Sequence, residues 1–133
     1  MFEVRVEADF AAAHFLKDYN GKCENLHGHN YKVFAHVRGN NLNKGGMLLD
    51  FSKLKDALRK TCKILDHTNL NDFPFFNQNP SAEKIALFIF ENIKKELNES
   101  KDIQKEPFLY AVDVFETETS RARYCPYLQK KLP

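Results

Sequence analysis

Residues 2–14 read FEVRVEADFAAAH, and apolar or small side chains alternate with charged ones along most of this stretch. Successive side chains of a strand point to opposite faces of a sheet, so a period of two predicts a strand with one buried face. The charged side carries Glu3, Arg5, Glu7 and Asp9. The side predicted to be buried carries Phe2, Val4, Val6, Ala8, Phe10, Ala12 and His14. The stretch therefore predicts a half-buried strand that ends on a histidine.

Three further stretches have the character of strands. Residues 29–38 alternate again, and the cluster GNNLNKGG at residues 39–46 then ends the pattern, as Gly and Asn clusters do at turns. FLYAVDVFETE (108–118) and RARYCPYL (121–128) are rich in aromatic and β-branched residues, which favours a closing pair of strands.

Two helices are predicted between these pairs of strands. From Asp50 onward, apolar residues recur every three to four positions, and Asp50 or Ser52 is a suitable cap. The second helix lies within NQNPSAEKIALFIFENIKKEL (77–97), with Pro80 near its first turn and Asn79 or Ser81 as cap.

The order strand, strand, helix, helix, strand, strand predicts an α+β fold, with a four-stranded antiparallel sheet and both helices on one face. At 133 residues the chain has the length of one domain, so we expect residues 1–133 to form a single unit. The uncovered face and the free edges of the sheet then meet solvent or another subunit, which predicts a homo-oligomer.

Composition excludes several classes of protein. Mean hydropathy is -0.54, and no stretch approaches the roughly 18 apolar residues of a membrane span, so we expect a cytoplasmic protein. A net charge of +2 with interspersed acids argues against a nucleic-acid surface. Three widely spaced cysteines form neither a disulfide framework nor a cysteine zinc ribbon.

Histidines mark the candidate metal site. His27 and His29 are two residues apart and project from the same face of a strand, and pairing of the first two strands would carry His14 to the same place. Three imidazoles with one open position match catalytic zinc. The alternative is that each histidine is an ordinary hydrogen-bonded polar residue. His36 has the opposite parity to His29 and is excluded as a ligand.

Three other positions carry chemistry in the sequence. Cys23 is either a thiol activated by the nearby histidines or an ordinary buried thiol. Asp66 and His67 form either a proton relay or a capped helix end. Glu116 has two alternatives. In one, its side chain is directed toward the apolar face of the closing strand, where a ligand with two adjacent N–H donors would satisfy the carboxylate. In the other alternative the strand ends at Phe115 and Glu116 is solvated.

Six blocks of the chain together resemble the 6-pyruvoyl-tetrahydropterin synthase family, in order and spacing. They are FAAAH, CENLHGHNY, GGMLLDFSKLK, LDHTNLND, NPSAEKIA and FETETSRARY. The resemblance implies a T-fold whose subunit sheets assemble into a β-barrel, as a trimer or hexamer with active sites between subunits. It also implies that His14, His27 and His29 hold Zn²⁺. By the same likeness Cys23, Asp66 and His67 are catalytic, and Glu116 anchors the pterin.

The spacing within these blocks is similar to that of one branch of the family. Three residues separate Cys23 from H-G-H, and this spacing resembles that of the 6-carboxy-tetrahydropterin synthases of queuosine biosynthesis. That likeness implies a zinc-dependent lyase acting on 7,8-dihydroneopterin triphosphate. Glu24 also creates E-x-x-H-G-H, which resembles the branch that forms 6-hydroxymethyl-dihydropterin for folate. The alternatives are therefore a dual-activity enzyme, a 6-pyruvoyl-tetrahydropterin synthase or a noncatalytic pterin-binding module.

Overall fold

A computed structural model describes residues 1–17, 25–97 and 106–128 of the chain. Its strands are β1 (Phe2–His14), β2 (His27–Gly39), β3 (Thr68–Asn69), β4 (Phe108–Thr117) and β5 (Ser120–Tyr124). Its helices are α1 (Phe51–Leu65) and α2 (Ala82–Glu96).

The sheet has the strand order β3-β1-β2-β4-β5. The β1–β2, β2–β4 and β4–β5 pairs are antiparallel, which confirms the predicted four-stranded core of the sheet. The fifth strand, β3, was not predicted. It is two residues long and pairs parallel with Ala12 and Ala13 of β1, and so short a strand has no periodicity to detect.

Both helices begin at predicted caps. Asp50 accepts a hydrogen bond from the backbone N–H of Ser52 at the start of α1, and Ser81 accepts one from Lys84 at the start of α2. Pro80 precedes the cap of α2 instead of lying in its first turn. Its carbonyl group is thereby free to bond outside the helix.

The core lies between the helices and one face of the sheet. Leu54, Leu58 and Leu65 of α1 and Ile85, Ile89 and Ile93 of α2 are fully buried against the even-numbered side chains of β1 and the odd-numbered ones of β2. Cys62 is buried among them, and burial raises the pKa of its thiol to about 12. The predicted periodicities thus identify the two surfaces that meet.

The opposite face of the sheet carries a charged network. His36 hydrogen-bonds through Nδ1 to Glu3 (3.1 Å) and through Nε2 to Asp113 (2.7 Å), on the face that its parity predicted. Arg123 donates two further hydrogen bonds to Asp113. Burial alone would raise the pKa of Asp113, but the hydrogen bonds from Arg123 and His36 hold it below its ordinary value.

Strand edges remain open in the described ranges. β3 covers only the last part of the outer edge of β1, and β5 is the final strand at the other side of the sheet. Across residues 1–17, 25–97 and 106–128, no helix has the length and apolar character needed to cross a membrane.

Candidate metal centre at the ends of two strands

Three imidazoles converge where β1 ends and β2 begins. His14 and His27 are direct partners in the antiparallel register, and His29 follows on the same face of β2. One nitrogen from each ring lies within 4.8 Å of the other two, and His14 Nε2 is 3.0 Å from His27 Nε2. The structure therefore brings together the three residues that strand parity had grouped.

Backbone carbonyls fix the orientation of two of these rings. His14 Nδ1 lies 2.8 Å from the carbonyl oxygen of Pro80, and His27 Nδ1 lies 2.6 Å from that of Asn25. A carbonyl oxygen only accepts hydrogen bonds, so each Nδ1 carries a hydrogen, and in the neutral ring each Nε2 presents a lone pair to the cluster. Two lone pairs at 3.0 Å repel each other unless a cation or proton lies between them.

His29 completes a donor set that suits a divalent metal. Its Nε2 is buried and has no hydrogen-bond partner among the described residues, although a metal would satisfy it. Burial lowers the pKa of His29, and the nearby His14 and His27 lower it further, against the opposing charge of Glu116. The neutral imidazole is the form that binds metal. A set of three histidines with a remaining open position fits Zn²⁺.

Glu116 lies at the rim of the same cluster. Its Oε1 is 3.2 Å from His14 Nε2 and 3.5 Å from His29 Nε2, and its side chain is 30% exposed. β4 extends to Thr117, so the alternative in which the strand ends at Phe115 is wrong. The carboxylate is directed toward the histidines.

Asp66 and His67 form a hydrogen-bonded pair at the end of α1. His67 Nδ1 is 2.8 Å from Asp66 Oδ2, while Asp66 Oδ1 accepts a hydrogen bond from the backbone N–H of Ala11. The hydrogen bond from Ala11, and then that from His67, lower the pKa of Asp66. The pair is thus both a helix-end contact and an imidazole held by a carboxylate, and its role as a proton relay stays a prediction.

His67 is displayed toward solvent. It has a left-handed backbone (φ 56°), and its side chain is 83% exposed. Together with His29 it lines a surface depression of about 450 Å³ between β1, β2 and β3. Of the Asp66–His67 pair and the three clustered histidines, His67 and His29 are the members that line this depression.

Two predicted residues, Cys23 and Glu24, lie outside the described residues. The described chain resumes at residue 25, two positions before His27. Their proposed roles consequently rest on the sequence and on the resemblance.

Sequence reasoning missed several groups that the structure places at the site. The carbonyls of Pro80 and Asn25 have no residue-type signal, since every residue has a carbonyl. Tyr31 was assigned only to a strand face, yet its hydroxyl is fully buried without a partner among the described residues, and burial and Glu116 raise its pKa. Asn71 lies in the LDHTNLND block, in which only Asp66 and His67 were predicted to have a role.

Comparisons with known proteins agree with this architecture. Residues 3–126 match the family model for 6-pyruvoyl tetrahydropterin synthase. The 6-carboxy-5,6,7,8-tetrahydropterin synthase of Bacillus subtilis is 35% identical, over 98% of this chain and 87% of that protein. The dihydroneopterin monophosphate aldolase of Pyrococcus furiosus is 42% identical, over 68% of this chain and 73% of its own. The structure of the Caenorhabditis elegans 6-pyruvoyl tetrahydropterin synthase superposes with a TM-score of 0.78 at 29% identity, covering 93% of this chain and 94% of the other.

Proposed function

The chain belongs to the 6-pyruvoyl tetrahydropterin synthase family, and from that premise we propose that it is a zinc-dependent carbon–carbon lyase. The proposed substrate is 7,8-dihydroneopterin triphosphate. With one water consumed, the products are 6-carboxy-5,6,7,8-tetrahydropterin, acetaldehyde and triphosphate, as a step of queuosine biosynthesis. The relationship to the Bacillus subtilis enzyme over nearly the whole chain supports this choice within the family.

The convergence of three histidine nitrogens within 4.8 Å carries the proposal. His14, His27 and His29 would hold Zn²⁺, which as a Lewis acid supplies polarisation of the substrate's side-chain oxygens and acidifies neighbouring C–H and O–H bonds. The carbonyl partners of His14 and His27 preorganise two of the ligands, because they fix each ring and its tautomer before metal binds.

The chain's own residues move protons and orient the substrate. Cys23 would exchange protons with the substrate side chain, and His67, oriented by Asp66, would serve as the second acid–base group. Glu116 would accept two N–H donors from the pterin ring, so that only the side chain of the substrate lies at the metal. Its partly exposed position at the rim of the histidine cluster supports this assignment.

A homo-oligomer, trimer or hexamer, is part of the same proposal. The open edges of β1 and β5 can pair with neighbouring subunits, and closure of such sheets would form the barrel that the family resemblance implies. The solvent-exposed His67 then suits a site completed across a subunit interface.

A second candidate is cleavage of dihydroneopterin-type substrates to 6-hydroxymethyl-dihydropterin. Glu24 in E-x-x-H-G-H and the 42% identity to the Pyrococcus furiosus aldolase favour this reaction, as a sole or additional activity. A 6-pyruvoyl product and ligand binding without turnover are the remaining alternatives.

Product analysis separates these functions. Zinc-loaded protein is incubated separately with 7,8-dihydroneopterin and with its triphosphate, and products are identified by mass spectrometry. The proposal predicts 6-carboxy-tetrahydropterin and acetaldehyde from the triphosphate. If 6-hydroxymethyl-dihydropterin is the sole product from either substrate, the Glu24 reaction is favoured. Recovery of unchanged substrate would favour the noncatalytic binding module.

Variants assign the two reactions to residues. Cys23→Ala is expected to bind zinc but lose formation of the carboxy product, whereas Cys125→Ala, which removes a thiol beyond the end of β5, keeps it. Glu24→Gln is expected to abolish only the hydroxymethyl product. Full activity of Cys23→Ala would remove the thiol from the mechanism.

A further inference from the structure

We propose that Asn71 is a positioning residue for the metal ligand His14, acting through the backbone that supplies the Pro80 carbonyl. The inference rests on the proposed zinc site for its consequence but not for its geometry. Asn71 lies in the single-turn 3-10 helix Leu70–Asp72, far from His14 in sequence. Its side chain nevertheless bonds to both of the segments that meet at the His14 ring.

One hydrogen bond, at Nδ1, determines which nitrogen of His14 carries the hydrogen, since Nε2 faces His27 and Glu116. The His14 side chain is 1% exposed, so water cannot take the place of a protein partner at Nδ1. The Pro80 carbonyl, 2.8 Å away, is that partner. If this carbonyl moves away, the ring loses the contact that keeps the hydrogen on Nδ1 and the lone pair on Nε2.

The Asn71 amide is buried and uses its hydrogen-bonding groups on two backbone segments. Its Oδ1 accepts from the N–H of Phe15 (2.9 Å), and its Nδ2 donates to the carbonyl of Phe15 (3.0 Å). The same Nδ2 donates to the carbonyl of Gln78 (3.1 Å). Only an amide provides an acceptor and two donors in this shape, because a carboxylate would direct oxygen at both carbonyls.

These bonds act on the residues next to the His14–Pro80 contact. Phe15 directly follows His14, and Gln78 precedes Pro80 by two positions. The loop that leads to Pro80 needs stabilising contacts, because Asn77 and Gln78 both have left-handed backbones, with φ of 47° and 67°. Such conformations persist in non-glycine residues when the surrounding contacts impose them. Asn71, together with Asn79, whose Oδ1 accepts a hydrogen bond from the backbone N–H of Lys17 (2.8 Å), therefore holds the loop in the form that places the Pro80 carbonyl 2.8 Å from His14 Nδ1.

The test compares Asn71→Asp with Asn92→Asp. Both variants change an amide to a carboxylate and remove donation to a backbone carbonyl, but Asn92 donates to Phe88 within α2, outside the metal site. Zinc affinity is measured by competition with a chromophoric chelator at fixed pH. Loss of an outer partner of a ligating histidine typically weakens metal binding about 10–100-fold, so we expect at least about tenfold weaker binding for Asn71→Asp and little change for Asn92→Asp.

A second readout does not involve zinc. Long-range ¹H–¹⁵N NMR spectra of the metal-free protein report which nitrogen of His14 carries the hydrogen. We expect Nδ1–H in the wild type and in Asn92→Asp, and a mixture with Nε2–H in Asn71→Asp. Asn71→Ala, which adds no charge, is expected to show the same mixture.

The outcomes separate this inference from the proposed function. Unchanged zinc affinity together with an unchanged His14 tautomer in both Asn71 variants overturns the role of Asn71. If the Asn71 variants do not fold, Nε2–H at His14 in the wild type still overturns it. If wild-type protein binds no zinc, the proposed function fails, while the tautomer comparison continues to decide the positioning role.

Discussion

Replacing Asp113 with asparagine perturbs the charged network on the open face of the sheet. Asp113 is 3% exposed and accepts hydrogen bonds from His36 (2.7 Å) and twice from Arg123 (2.7 and 2.9 Å). Asparagine keeps the shape but removes the charge and presents an NH₂ group to these donors. Loss of one member of a buried, hydrogen-bonded ion pair costs about 3–5 kcal/mol. The partial exposure of Arg123 places the expected loss near the lower end, about 3 kcal/mol.

The pH dependence of this loss follows from the lowered pKa of Asp113. A carboxyl group whose pKa is lower in the folded state stabilises the protein above its ordinary pKa of about 3.9, and this contribution is lost as pH falls through the folded-state value. The difference in unfolding free energy between wild type and Asp113→Asn should therefore be complete at pH 7 and narrow in acid below about pH 4.

Urea denaturation at fixed protein concentration measures the effect. Asp113→Asn is expected to lower the free energy of unfolding by about 3 kcal/mol, equivalent to a drop in Tm of about 10 °C. The control is Glu7→Gln, which breaks the ion pair between Glu7 and Lys32. Both side chains of that pair are about half exposed, so the substitution should lower the free energy of unfolding by at most about 1 kcal/mol. Equal losses in the two variants, or a difference that persists unchanged in acid, would refute the reasoning.

Three further predictions concern the site and the core. His29→Gln should weaken zinc binding and His36→Gln should leave it unchanged, as measured by chelator competition, because His29 belongs to the cluster and His36 does not. Equal effects of the two substitutions would contradict the assignment from strand parity. Asp66→Asn should retain zinc but lower kcat, since an amide no longer orients His67 as an anion does, and wild-type turnover would exclude the pair from catalysis. Leu58→Ala, at a fully buried site, should cost about 2–5 kcal/mol by urea denaturation, whereas Ile64→Ala, at a 46% exposed side chain, should cost far less.

Much of the fold follows from local periodicity. The alternation of residues 2–14 predicts β1 because one face is buried or partly buried from Val4 to His14, although Phe2 is exposed. Helical spacing predicts α1 and α2 because each helix likewise buries one face. β3 escapes prediction, since it exists only because the backbone at residues 68 and 69 reaches the edge of β1. Burial creates a pattern in the sequence, whereas a short backbone pairing does not.

In the candidate site, too, the side-chain pattern predicts some features, whereas those that depend on the backbone escape prediction. Side-chain type and strand parity are sufficient to group His14, His27 and His29. The hydrogen bond between His14 Nδ1 and the Pro80 carbonyl cannot be predicted in this way, because it depends on the path of the backbone and not on the identity of a side chain.

X-ray absorption at the zinc edge tests the central claim most directly. For protein loaded with one zinc per chain, the proposal predicts three imidazole nitrogens and one exchangeable oxygen ligand at about 2.0–2.1 Å. His29→Gln should lose the signature of three imidazoles. Zinc bound mainly by sulfur, or a wild-type protein that takes up no zinc, would contradict the assignment of these histidines as the metal centre.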